Sequence, residues 1–61
     1  MRVQTFIGKV TVEALRQMDE HINQWLEAHH VTPARVTQTF GYERHYDGGS
    51  QEPVVITSVW Y

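Results

Sequence analysis

Apolar and polar residues alternate with two different periods along the chain. A period of two over residues 2–7, where Val3, Thr5 and Ile7 face away from Gln4 and Phe6, predicts a first strand. From Val12 to about His30 the period becomes 3.6 residues, which predicts a helix. Its apolar stripe consists of Leu15, Met18, Ile22, Trp25, Leu26 and His29. Thr11 is a suitable N-cap for this helix, and Pro33 requires it to end by Thr32.

The period returns to two after Pro33. Residues 35–46 are rich in Thr, Val, Phe and Tyr, which predicts a long second strand. Asp47-Gly48-Gly49-Ser50 predicts a turn, and residues 52–61 predict a third strand. The order β-α-β-β indicates a single α+β domain over residues 1–61. In this fold one helix packs on a three-stranded sheet, and the two long strands form a hairpin.

The third strand is apolar on both of its faces. Val54, Ile56, Ser58 and Trp60 share one face, and Val55, Thr57, Val59 and Tyr61 share the other. One helix covers one face only, and a chain of 61 residues has no further element for the second face. A domain of this size is marginally stable alone, and the absence of cysteine removes disulfides as a remedy. We therefore expect homo-oligomerisation to complete the core.

Charge and composition exclude several classes of function. The net charge is −2 with five Lys and Arg residues, which makes nucleic-acid binding unfavourable. No apolar run approaches the roughly 20 residues that span a bilayer, and the N-terminal residues lack the apolar region of a signal peptide. With no cysteine, these features are typical of a cytoplasmic protein.

The chain resembles a family of small spore-associated proteins, the Cse-type proteins of spore-forming bacteria. The matching positions form a core pattern: Val3, Phe6, Leu15, Ile22-Asn23, Trp25-Leu26, Gln38 and Ile56-Thr57-Ser58-Val59-Trp60-Tyr61. This resemblance implies a short strand, one helix and two further strands, and it carries over no catalytic residue. The layout is also similar to that of the flavin-storing dodecins. It is similar as well to small oligomeric phage proteins that sequester cyclic nucleotides at subunit interfaces.

Residues that support catalysis or metal binding are sparse. His21 and His29 lie on one side of the predicted helix, yet no HExxH motif accompanies them, and imidazoles near a helix C-terminus suit its dipole. Neither Ser50 nor Ser58 lies in a Gly-x-Ser-x-Gly elbow. His45 with Glu43 is more typical of a solvated strand face than of a base and its orienting group. We expect no enzymatic activity, no metal site and no cofactor.

Aromatic and basic residues cluster in the last two strands. Aromatic planes stack on bases or flavins, and Arg neutralises phosphate. The candidate ligand-binding residues are Arg35, Gln38, Phe40, Tyr42, Arg44 and Trp60. In this hypothesis Arg35 and Arg44 hold phosphate, while the rings stack on the ligand. The same aromatic pattern also suits a core or an interface, and Trp25 in particular fits the helical core stripe.

The sequence therefore predicts a non-enzymatic homo-oligomer with a function in binding. The first hypothesis is that it binds or sequesters a small aromatic anion, such as a cyclic nucleotide, at subunit interfaces. The alternative is a structural or protein-interaction accessory protein of a bacterium or phage, without a small-molecule ligand. The expected partners are further copies of the chain and the nucleotide-like molecule, and neither a membrane nor nucleic acid is expected.

Overall fold

The four elements of the chain follow the predicted order. A computed structural model describes residues 1–44 and 49–61. Strand β1 spans Val3–Lys9, helix α1 Val12–Ala28, strand β2 Arg35–Arg44 and strand β3 Gln51–Trp60. The α+β fold and the antiparallel β2–β3 hairpin are thus confirmed. His45, Tyr46, Asp47 and Gly48, which belong to the predicted end of the second strand and its turn, lie outside the described residues.

Helix α1 begins and ends through local hydrogen bonds. The Thr11 side chain accepts a hydrogen bond from the Ala14 amide, as expected for an N-cap. At the other end His30 has a φ of 53°, and its N–H donates to the Glu27 carbonyl while the Val31 N–H donates to that of Leu26. This pattern is a Schellman motif with histidine at the left-handed position. The helix consequently ends at Ala28, two residues before the predicted end.

The three strands form one antiparallel sheet in the order β1-β3-β2. Strand β3 is central, so its backbone pairs with a neighbour along both edges. Phe6 of β1 and Gln38 of β2 both lie opposite Thr57, and Phe40 lies opposite Val55. The register of β2 is continuous through Gly41, which lies opposite Val54 in regular strand. Pro53 lies beyond Val54, where the pairing with β1 ends.

Helix α1 packs on one face of the sheet, which we call the helix face. Its core consists of Phe6, Met18 and Val59, with Val59 fully buried. Leu15, Ile22, Trp25, Leu26 and Val55 pack around this cluster. The Trp25 ring makes edge contacts with Phe6 and Tyr61 at centroid distances of 5.8 and 5.3 Å. The predicted helical stripe, including Trp25, is therefore core, with His29 at its edge against Trp25.

The opposite face of the sheet carries no second layer in the described part of the chain, and we call it the open face. It presents Val3 and Ile7 of β1, which are 46% and 59% exposed. Val54, Ile56, Ser58 and Trp60 of β3 lie on the same face, as alternation predicts. Val54 is buried, but it does not belong to the core under the helix. The two-sided character of β3 is thus confirmed, and residues 1–44 and 49–61 leave one of its sides uncovered.

Candidate aromatic and basic site on strand β2

Helix α1 lies over β1 and leaves β2 uncovered. Among the described residues, the core under α1 includes Phe6 of β1 and Val55 and Val59 of β3, but no residue of β2. The residues of β2 on the helix face are correspondingly exposed: Val36 at 54%, Phe40 at 57% and Tyr42 at 64%. An apolar strand that is exposed on its face and free along its edge is uncommon in a monomer. This part of the molecule is the strongest candidate for a binding surface.

Four of the six predicted ligand residues share this surface. Alternation along β2 places Gln38, Phe40, Tyr42 and Arg44 on the helix face. The Phe40 and Tyr42 rings meet edge to face, with centroids 5.3 Å apart and an interplanar angle of 81°. Arg44 follows at the next position on the same face, and no carboxylate of the described residues lies within 4.0 Å of it. We call these four residues the β2 row.

The other two predicted residues lie on the open face. Arg35 and Trp60 are opposite one another in the β2–β3 register, on the side away from the helix. The indole Nε1 of Trp60 is buried and has no hydrogen-bond partner among the described residues. Within one protomer, therefore, the six residues do not form one site. A ligand in contact with Phe40 and Tyr42 is separated from Arg35 and Trp60 by the thickness of the sheet.

Gln38 connects the β2 row to the core. Its Nε2 donates a hydrogen bond to Thr57 Oγ1 at 3.2 Å, and the Thr57 hydroxyl donates to Met18 Sδ at 3.9 Å. Thr57 is almost fully buried, so this chain satisfies a polar group inside the core. Because its amide is held in this way, Gln38 is the best-anchored polar member of the β2 row.

A groove of about 280 Å³ runs between α1 and β2. It is lined by Asp19, Ile22, Asn23, Leu26, Val36, Gln38, Thr57 and Val59. Gln38 is the member of the β2 row that lines it, while Phe40 and Tyr42 lie farther along the strand. Asp19 and Asn23 of the groove were not among the predicted ligand residues. Both residues lie on the polar, exposed side of the helix. In the sequence they cannot be distinguished from ordinary solvated residues.

A larger groove of about 570 Å³ lies between α1 and β1. Its apolar wall includes Phe6, Met18 and Trp25, and its polar lining includes Gln17 and His21. Lys9 also lines it, but the Lys9 ammonium lies 3.6 Å from a Glu52 carboxylate oxygen, so its charge is compensated. The lining residues of this groove were not predicted, and they match the aromatic and cationic pattern less well than the β2 row does.

The described residues offer little for other chemistry. They contain no group of three or more His, Cys, Asp or Glu residues that could hold a metal ion. His21 lies against the Phe6 ring, and His29 against Trp25, so both imidazoles pack on aromatic rings rather than converge. The helix of the described part is neither long nor apolar enough to cross a membrane. The β2 row is therefore the strongest candidate for a binding site among the described residues.

Comparisons with protein-family models, with curated proteins and with solved structures gave no match. The likenesses to the Cse-type, dodecin and phage sequestering proteins consequently stay predictions, and the function must be argued from the residues themselves.

Proposed function

We propose that this chain is a non-enzymatic, homo-oligomeric binding protein for a small aromatic anion such as a cyclic nucleotide. The observation that carries the proposal is the exposed Phe40–Tyr42 ring pair with Arg44 beside it on the bare helix face of β2. Rings in this position stack on a base, and Arg44 has no carboxylate within 4.0 Å among residues 1–44 and 49–61, so its guanidinium is available for phosphate there.

Stacking and charge act together in such a site. Base–aromatic stacking contributes about 1–3 kcal/mol per base. A guanidinium that binds phosphate bidentately adds charge-assisted hydrogen bonds, which are roughly twice as strong as neutral ones. Gln38 supplies an amide that is already oriented by Thr57. Arg35 and Trp60 contact the ligand only in an assembly in which a second subunit presents its open face to that ligand.

The test is ligand binding by an Arg44→Ala variant. We expect at least a tenfold loss of affinity for a panel of cyclic mono- and dinucleotides, measured by isothermal titration calorimetry, with the native mass of the protein unchanged. Arg16→Ala removes an equal charge from the exposed face of α1 and serves as the matched control. Unchanged binding by Arg44→Ala would remove the proposed phosphate contact.

A structural or protein-interaction role is the second candidate, and the open face favours it. Val3 and Ile7 are exposed there beside Ile56 and Trp60, although large apolar side chains seldom cluster on a free surface. In this case the purified protein carries no small molecule and binds none of the nucleotides. Ile7→Lys then disrupts its assembly, while Arg44→Ala leaves it unaffected.

A further inference from the structure

Strand β2 is an edge strand of unusual character. It is ten residues long, and in the described part of the chain it pairs with β3 alone. Edge strands in monomers are usually short, covered or interrupted by bulges, because their free N–H and C=O groups recruit other strands. The β2 strand has a continuous register and bare aromatic residues beside it. These features are typical of a strand that pairs with another chain.

We propose that β2 pairs antiparallel with β2 of a second copy of this chain, about a two-fold axis at Thr39. This register places Arg35 opposite the second copy's Glu43, and Glu43 opposite the second copy's Arg35. On the helix face it places Val36 opposite the second copy's Tyr42. By symmetry the ladder contains two Arg35–Glu43 pairs of opposite charge. It also contains two pairs of the β-branched Val36 with the aromatic Tyr42. Both kinds of cross-strand pair stabilise sheets.

Charge complementarity selects this register among its neighbours. An axis at Gln38 places Arg35 opposite Gly41, and Glu43 then has no basic partner. An axis at Phe40 places Glu43 opposite Thr37, and Arg44 opposite Val36. Only the axis at Thr39 pairs both charged residues of the open face with opposite charges. Arg35 and Glu43 are exposed in the protomer, so both are accessible for this contact.

The chain exposes more surface than a compact monomer of its mass. The accessible surface is 4903 Å² for a chain of 7.1 kDa. A compact monomer of that mass exposes roughly 4,100 Å², and the exposed Val36, Phe40 and Tyr42 of β2 contribute to the difference. The β1 edge is a weaker candidate, because its one charged residue, Lys9, already pairs with Glu52 of the same chain.

The pairing brings two β2 rows together between two helices. The two-fold axis keeps both helices on one side of a six-stranded sheet. Phe40 and Tyr42 of both copies then form a continuous aromatic strip, with an Arg44 toward each end. The use of this aromatic strip for ligand binding rests on the proposed function. The pairing of the two β2 strands does not depend on it. In this register the two Arg44 residues are ten strand positions apart, about 33 Å. The dimer is therefore expected to hold two equivalent ligands, each at one Phe40–Tyr42 pair with its own Arg44.

A charge-swap series tests the pairing. Sedimentation velocity over a concentration range gives the dimer dissociation constant for the wild type, Arg35→Glu, Glu43→Arg and the double variant. We expect each single variant to weaken the dimer about tenfold, because like charges then face each other at two positions, and the double variant to restore it. Arg16→Glu and Glu20→Arg make the same charge changes on the exposed face of α1 and are the matched controls.

Other results would overturn the pairing, and they are distinguishable from failure of the ligand hypothesis. A monomer at every concentration contradicts it, as does a dimer that resists both single variants but dissociates on Ile7→Lys. Circular dichroism of each variant confirms that the protomer is folded. A dimer that responds to the charge swaps but binds none of the nucleotides supports the pairing and contradicts the proposed function alone.

Discussion

The two outer strands of the sheet carry the same kind of residue and have opposite environments. Phe6 of β1 and Phe40 of β2 both lie on the helix face, on either side of β3. Phe6 is 9% exposed and lies against His21 and Trp25, whereas Phe40 is 57% exposed and contacts Tyr42 of its own strand. The two phenylalanines thus serve different purposes, one in the core and one on a surface.

The cause of this difference is the width of the helix. A helix with its side chains is about 10–12 Å across, and strands are about 4.8 Å apart, so one helix covers about two strands. Helix α1 lies toward β1, and β2 is left without cover. An apolar residue therefore contributes to folding on the β1 side, while on the β2 side it is available for recognition.

The largest expected contrast is between truncation of the two phenylalanines. Phe6→Ala should lower the free energy of unfolding by about 3 kcal/mol, since it leaves a cavity beside Met18 and Val59. Phe40→Ala should lower it by about 0.5 kcal/mol or less at concentrations where the protein is monomeric. Urea unfolding followed by circular dichroism measures both.

A loss of this size is a large part of the stability of so small a domain and shortens the folded baseline of Phe6→Ala. Phe6→Leu keeps most of the side-chain volume and is the second variant for that case, with a loss of about 1 kcal/mol. Equal losses for the two alanine variants would contradict the distinction between a strand covered by the helix and an exposed strand.

The glycines of the two strands give a smaller contrast. A Cβ at Gly8 would lie 3.0 Å from Met18 Sδ, within the core, so Gly8→Ala should destabilise by about 1 kcal/mol. A Cβ at Gly41 would meet Ile56 Cδ1 at 3.8 Å, an ordinary contact. Gly41→Ala should therefore stabilise by about 0.5 kcal/mol, because it restricts the unfolded chain. Thermal unfolding of both variants shows whether their effects have opposite signs.

The smallest effect is expected for the ion pair between β1 and β3. The Lys9 and Glu52 side chains are 67% and 40% exposed, so solvent screens their attraction. Lys9→Ala should change the free energy of unfolding by about 0.5 kcal/mol or less. A loss above 1 kcal/mol in urea unfolding would show that β1 depends on this pair as well as on the packing of Phe6.

The sequence was sufficient to predict the elements of the fold, but not which of their apolar residues are buried and which are exposed. The helical stripe and the two-sided third strand depend on periodicity, which is local, and both are confirmed. Whether Phe6 or Phe40 is covered depends on where the helix lies across the sheet, and alternation is the same in both strands. The exact end of α1 depended on the left-handed conformation of His30, which histidine seldom adopts.

The candidate site was likewise predictable only where it depends on local alternation along a strand. Alternation in β2 correctly groups Gln38, Phe40, Tyr42 and Arg44 on one face. Alternation also places Arg35 on the other face of β2. The place of Trp60 depends on the β2–β3 register, which the sequence does not give and which sets Trp60 opposite Arg35 on the open face. The grooves beside α1 also depend on tertiary packing, since their polar lining residues look like any solvated helix positions.

Native mass spectrometry of the purified protein shows whether β2 pairs with a second copy and whether a ligand is held beside it. We expect a particle of twice 7.1 kDa at micromolar concentration, with additional mass that is lost on denaturation when the host supplies the ligand. The same dimer without added mass supports the pairing and leaves the ligand to be found by titration. A stable particle of 7.1 kDa at every concentration would rule out the pairing of β2.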